Sequence, residues 1–223
     1  AWDGKVDMSG GSVEGCKAAN GSGIYIYTNA SMTMSGGTIA NCSGENGLKG
    51  VKGGGIRIHT ANGLTMTGGT IVGCSAEYGG GIYTEIEQSV QLDGGTISKC
   101  QANYGGAIYA AAAQAVTMHK GTLSECTASN SGGAVYATKA DNVFTMIGGT
   151  IAQCKAIYYG GAIYMGNGGV HLEGGTIDKC EAEMGGGLMA WGGVADISGG
   201  LIENCTAKVG GGIYIYEDSA VAM

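Results

Sequence analysis

The chain has 223 residues, 47 of them Gly and none Pro, with 44% hydrophobic and 13% charged residues. That balance fits neither a polar, charge-rich disordered segment nor collagen, which needs Gly at every third position. A formal net charge of −7, with 11 Lys and Arg scattered singly, leaves no basic patch to neutralise phosphates and argues against nucleic acid and anionic membrane surfaces as partners.

The chain repeats itself from end to end. Cys16, Cys42, Cys74, Cys100, Cys126, Cys154, Cys180 and Cys205 follow one another at intervals of 26, 32, 26, 26, 28, 26 and 25 residues. Four residues before each Cys stands Ser12, Thr38, Thr70, Thr96, Thr122, Thr150, Thr176 or Leu201, usually after a Gly pair. After each Cys comes a Gly-rich corner and an aliphatic residue, as in Gly79-Gly80-Gly81-Ile82. An unbroken repeat with no internal linker predicts a single domain over residues 1–223. The chain opens without an initiator Met or signal peptide, beside one copy of a repeat segment, and stops inside another, so a piece of a longer repeat protein is expected. No apolar run reaches the roughly 20 residues of a membrane helix, and no membrane insertion is expected.

Each repeat carries three short runs of strand character. The first is of the type Gly-Thr-Ile. The second resembles Gly23-Ile24-Tyr25-Ile26-Tyr27, in which Ile24 and Ile26 share a face and the Tyr residues take the other. The third resembles Leu64-Thr65-Met66, with two apolar residues facing inward around a variable outward one. No segment shows sustained apolar spacing at 3.6, so helices are not expected. Three strands and Gly-rich corners in a period near 26 are what one turn of a three-sided parallel β-helix requires, and about eight stacked coils make a rod roughly 40 Å long. A β-propeller is the alternative, but its blades need some 40 residues and four strands. Two coils are lengthened, one by Ser43 to Lys52 and one by Thr138 to Asn142, and such insertions emerge as loops on one side.

The pattern Ile71-x-x-Cys74-x-Ala76-x-x-Gly79-Gly80-Gly81-Ile82 resembles the repeat of the polymorphic outer-membrane proteins and related adhesin-like β-helix proteins. The Gly-Gly-Ala-Ile half of that repeat stands literally at Gly105 to Ile108 and Gly160 to Ile163, with Val at Gly132 to Val135. The Phe-x-x-Asn half departs, with Ile or Val for Phe and Cys for Asn. The resemblance covers nearly the whole chain and implies a right-handed β-helix on a cell surface, often in adhesion. Its motifs are structural and carry no catalytic residues.

Side chains that could carry chemistry are few. The cysteines lack the close pairing of zinc sites, and His59, His119 and His171 fall at unrelated repeat positions, so no metal or other cofactor is expected. Stacked parallel side chains hold Cβ atoms near 4.8 Å, beyond what a disulfide prefers, which predicts a buried column of reduced thiols. The carboxylates Glu85, Glu87 and Asp93, or Asp178, Glu181 and Glu183, do not cluster as hydrolysis or elimination needs, and no enzyme is expected. A Thr column at Thr38, Thr70, Thr96, Thr122, Thr150 and Thr176 raises ice binding, but the neighbouring outward column is only partly Thr.

The outward position of the second strand reads Tyr25, Arg57, Tyr83, Tyr109, Tyr136, Tyr164, Met189, Tyr214. An exposed ring stripe is a sugar- or protein-binding surface, and equally an ordinary cross-strand stabiliser. Two residues on, the position varies and includes Trp191 and Tyr216. Tyr164, Met189, Trp191, Tyr214 and Tyr216 are expected to converge into one exposed patch, continued by Tyr136, Tyr109 and Tyr83. The function expected is an adhesin-like, secreted or cell-surface bacterial domain binding a glycan or host surface protein. The alternatives are a passive stalk, a polysaccharide-active enzyme and an ice-binding protein, and end-to-end self-association follows from open strand edges.

Overall fold

The computed structural model describes residues 3–45, 47–59, 63–85, 90–111, 115–217 and 219–223. Among these residues there is no helix: the chain winds as a parallel β-solenoid of about eight turns. Successive coils pair in parallel and in register. Ile24, Ile56, Ile82, Ile108, Val135, Ile163, Leu188 and Ile213 form one continuous column of an eight-stranded sheet.

The other two expected strands of each coil meet at the Gly pair and belong to one bent thirteen-stranded sheet. In four coils they run through the corner as a single strand, Lys5–Glu14, Ser31–Ala40, Val90–Ser98 and Ala115–Ser124. The corner is made by its second Gly. At Gly69 φ is +78°, and a Cβ there would stand 2.7 Å from Met34 Cε of the preceding coil, so the residue must be both left-handed and bare.

The three expected strands recur along the rod. A fourth ladder follows the cysteines, formed by Gln101–Tyr104, Thr127–Ser131 and Lys155–Ala156, and extended by single bridges such as Ser75↔Gln101 and Glu181↔Thr206. These pieces are too short to carry an alternating pattern, and they pair because the coils on either side already hold them in register. The turn into this ladder uses a left-handed residue before each Cys: Gly15, Asn41, Gly73, Lys99, Glu125, Gln153, Lys179 and Asn204 have φ between 51° and 64°.

The interior is a set of columns running the length of the rod. Inward residues of the three main strands, among them Ile56, Met66, Ile71, Ile82, Phe144 and Ile151, are buried to within 1%. Each such side chain contributes about 1.5–3 kcal/mol of transfer free energy. All eight cysteines are free thiols, buried along the middle of the rod and half-buried at Cys16 and Cys205. Each buried thiol donates to the carbonyl two residues before it, as Cys100 Sγ does to Ser98 O at 3.3 Å. Burial pushes the Cys42 thiol up to about 11, which disfavours the reactive thiolate.

Candidate functional site

On the outer side of the eight-stranded sheet the Tyr column forms a face-to-face stack. Tyr83 and Tyr109 lie 5.3 Å apart at 17°, Tyr109 and Tyr136 5.0 Å at 23°, Tyr136 and Tyr164 5.1 Å at 12°. A second aromatic column, not anticipated from the repeat, leans against it from the Gly-rich corner. Tyr78 meets Tyr109 edge-on at 5.3 Å, and Tyr104 packs on Tyr136 at 5.0 Å. The signal for this column was the residue immediately before the Gly-rich corner, as in Tyr78-Gly79, Tyr104-Gly105 and Tyr159-Gly160.

The expectation of an exposed ring stripe therefore needs correction. Tyr83 is only 4% exposed, Met189 is fully buried, and Tyr109, Tyr136 and Tyr164 are half-buried. Rings stacked on the rod axis cover one another's faces and offer solvent their edges and hydroxyls, a stabilising arrangement worth about 0.5–1.5 kcal/mol per pair. Burial raises the Tyr109 hydroxyl to about 12.

The stack ends differently at its two ends. Towards the N-terminus Arg57 takes the Tyr position, buried over the Tyr25 ring at 5.0 Å, and bonds Glu85 and Asn20. Glu85 also pairs with His59, lies 3.4 Å from Lys52 Nζ, and accepts from the Tyr83 hydroxyl at 3.1 Å. Burial pushes the Glu85 carboxyl up, but the hydrogen bond and charge of Arg57, with Lys52 and His59, outweigh it and hold the carboxyl below its ordinary value. This carboxylate is tied down by its partners.

Towards the C-terminus one substitution in the Tyr column coincides with a cleft. Met189 replaces Tyr between Tyr164 and Tyr214, and Gly166 pairs with Trp191 in the register. The cleft is a cavity of about 150 Å³ lined by Tyr159, Met184, Met189, Trp191, Tyr214 and Tyr216. Trp191 stands 4.6 Å from Tyr216 at 58° and edge-on to Tyr159 at 6.0 Å. Its Nε1 donates to Glu217 Oε2 at 2.9 Å. Tyr164 flanks the cleft through Tyr159 at 6.1 Å, and its hydroxyl is raised by burial first, then by Tyr159 and the charge of Glu217.

Of the eight residues singled out in the sequence, Met189, Trp191, Tyr214 and Tyr216 thus line one cleft and Tyr164 borders it. Tyr83, Tyr109 and Tyr136 belong to the stack and do not reach it. Tyr159 and Met184 are the lining residues that the sequence reading missed.

The remaining carboxylates are dispersed. Asp93 lies near the Gly-pair corner, bonded by Gln91 at 3.0 Å and 2.8 Å from His119 Nδ1, away from Glu85. Glu87 lies outside the described residues. Asp178 contacts Lys179 and Asn204, Glu181 pairs with Lys155, and Glu183 with Lys208. Among the described residues no group of three His, Cys, Asp or Glu side chains could hold a metal ion. The Thr column is in register from Thr38 to Thr176, and its neighbour is interrupted by Gln91, His171 and Asp196.

Parallel pairing in register, Gly corners and a solid core of stacked aliphatic ladders define a β-helix repeat protein with an aromatic cleft on one side. A family model described as "Right handed beta helix region" matches residues 96–223, and the chain belongs to that family. No curated protein and no solved structure matches the chain.

Proposed function

We propose that this chain is an adhesin-like binding domain of a secreted or cell-surface bacterial protein, and that its aromatic cleft grips a group carried on a glycan or a host surface protein. The observation that carries this reading is the cleft itself: it lies where Met189 breaks the Tyr column, not where the repeat is regular. A solenoid that only separates two ends gains nothing from breaking a stabilising ring stack. The literal Gly-Gly-Ala-Ile segments, shared with the surface-protein repeat described above, support the same setting.

Right-handed β-helices occur among enzymes and among proteins without activity, so catalysis is argued from the site. Carboxylates individually paired to Lys, Arg, Asn or His support binding over turnover. The expected result is saturable binding of the chain to at least one glycan or surface protein on arrays, lost on Trp191→Ala in a variant that remains folded. A chain that binds nothing on such arrays is a passive stalk.

A further inference from the structure

We infer that the group held in the cleft is a quaternary ammonium ion of the choline type; this rests on the reading of the cleft as the binding site. The lining supplies four rings and the Met184 thioether over the buried Met189, and no Lys or Arg is among its residues. The rings are not coplanar. Trp191 is tilted 58° to Tyr216 and 79° to Tyr159, so the cleft wall offers ring faces and edges at several angles and no single flat platform for a sugar ring. A volume of about 150 Å³ is of the order that holds one compact apolar-shaped group.

Chemistry selects among such groups. A trimethylammonium spreads its charge over methyl groups that need no hydrogen-bond partners and are stabilised by ring faces and polarisable sulfur. Sugar hydroxyls entering the same space would lose water against mostly apolar walls. The electrostatics point the same way. Glu217 holds the Trp191 N–H at 2.9 Å, which places a formal negative charge at the cleft edge and enriches the indole ring, on a chain of net charge −7. The regular stack has no such site, because Tyr109 and Tyr136 each have both faces covered by neighbouring rings.

The chain has two Trp, so Trp2→Phe leaves Trp191 as the sole indole, excited selectively over the 12 Tyr at the red edge of the absorption band. Titration of this variant with choline should quench the indole saturably in the millimolar range. The uncharged carbon analogue 3,3-dimethylbutan-1-ol should bind at least about tenfold more weakly, since it keeps the shape and loses the charge. Glu217→Gln, which retains an acceptor oxygen for Trp191, should weaken choline several-fold and leave the alcohol unaffected. Trp191→Ala should abolish choline binding by calorimetry in a chain that still unfolds cooperatively, with a melting temperature lowered by the lost ring contacts with Tyr216 and Tyr159. Phosphocholine and Nε-trimethyl-lysine, compared in parallel, identify the headgroup or the methylated side chain as the source, and tighter binding of either upholds the inference. Equal binding of choline and the alcohol, or no choline binding, overturns it. If array binding that depends on Trp191 persists without any response to choline, the inference falls and the adhesin reading stands; silence in both assays removes both.

Discussion

Replacing Gln153 by Gly should stabilise this protein, although Gly is normally the weaker choice in a sheet-rich chain. Gln153 has φ +56°, in the left-handed region, and belongs to the column of corner residues that precede the cysteines. An L side chain there costs about 1–2 kcal/mol. Gly removes that cost and adds about 0.5–1 kcal/mol of unfolded-state entropy. The side chain is exposed and the backbone bond from Gln153 N to Asp178 O at 2.9 Å is kept, so nothing else changes sign. The net gain is about 0.5–1 kcal/mol, or roughly 1–4 °C in melting temperature for a domain of this size. Gln153→Ala is the control, because alanine keeps a Cβ and therefore the strain. Thermal and urea denaturation of the three proteins measure it. A loss of stability for the Gly variant, or an equal gain for the Ala variant, would refute the claim that this corner stores left-handed strain.

Gly133→Ala should cost about 3 kcal/mol or prevent folding, because its Cβ would stand 2.1 Å from Gly161 O and 2.7 Å from Lys155 N, both fixed in neighbouring ladders; chemical denaturation reads this directly. Tyr136→Leu keeps most of the apolar area but breaks two stacked pairs, so a loss of about 1–3 kcal/mol is expected from urea midpoints. The Glu85 carboxyl titrates below its unfolded value, so its contribution is present above the ordinary carboxylate pKa and is lost as pH falls through the folded one. Urea midpoints measured from about pH 6 down to pH 3 should therefore fall more steeply for the native chain than for Glu85→Gln. Sedimentation of the 223-residue chain at rising concentration should show end-to-end association, since among the described residues the strands Ile24–Ile26 and Ile213–Tyr216 each pair on one side and Leu201, Val209 and Val221 are exposed.

The fold was legible because one period fixes almost everything in a solenoid. The spacing of Cys and Gly-rich corners sets the register, and the register places Ile24 beneath Ile56 and Tyr164 beneath Met189 without further information. The fourth ladder was not legible, since segments such as Lys155–Ala156 are two residues long and have no pattern of their own. Half of the cleft followed from register arithmetic, as Trp191 over Tyr216 and Met189 over Tyr214. The other half, Tyr159 and Met184, approaches from across the Gly corner, whose angle no periodicity encodes. The burial of Met189 was hidden for the same reason. Alternation says only that it points away from the core, and it takes the corner column to cover it.

In-register stacking has a consequence for how such a cleft can arise and spread. Its walls come from three successive turns: one bearing Tyr159, the next bearing Met184, Met189 and Trp191, and the last bearing Tyr214 and Tyr216. Every turn presents the same pairing edge to its neighbours, so these three constitute a transferable cassette. Duplicating or excising a whole turn elsewhere leaves the cassette intact. Inserting a turn within it separates the walls by one strand spacing and erases the cleft without disturbing the rod.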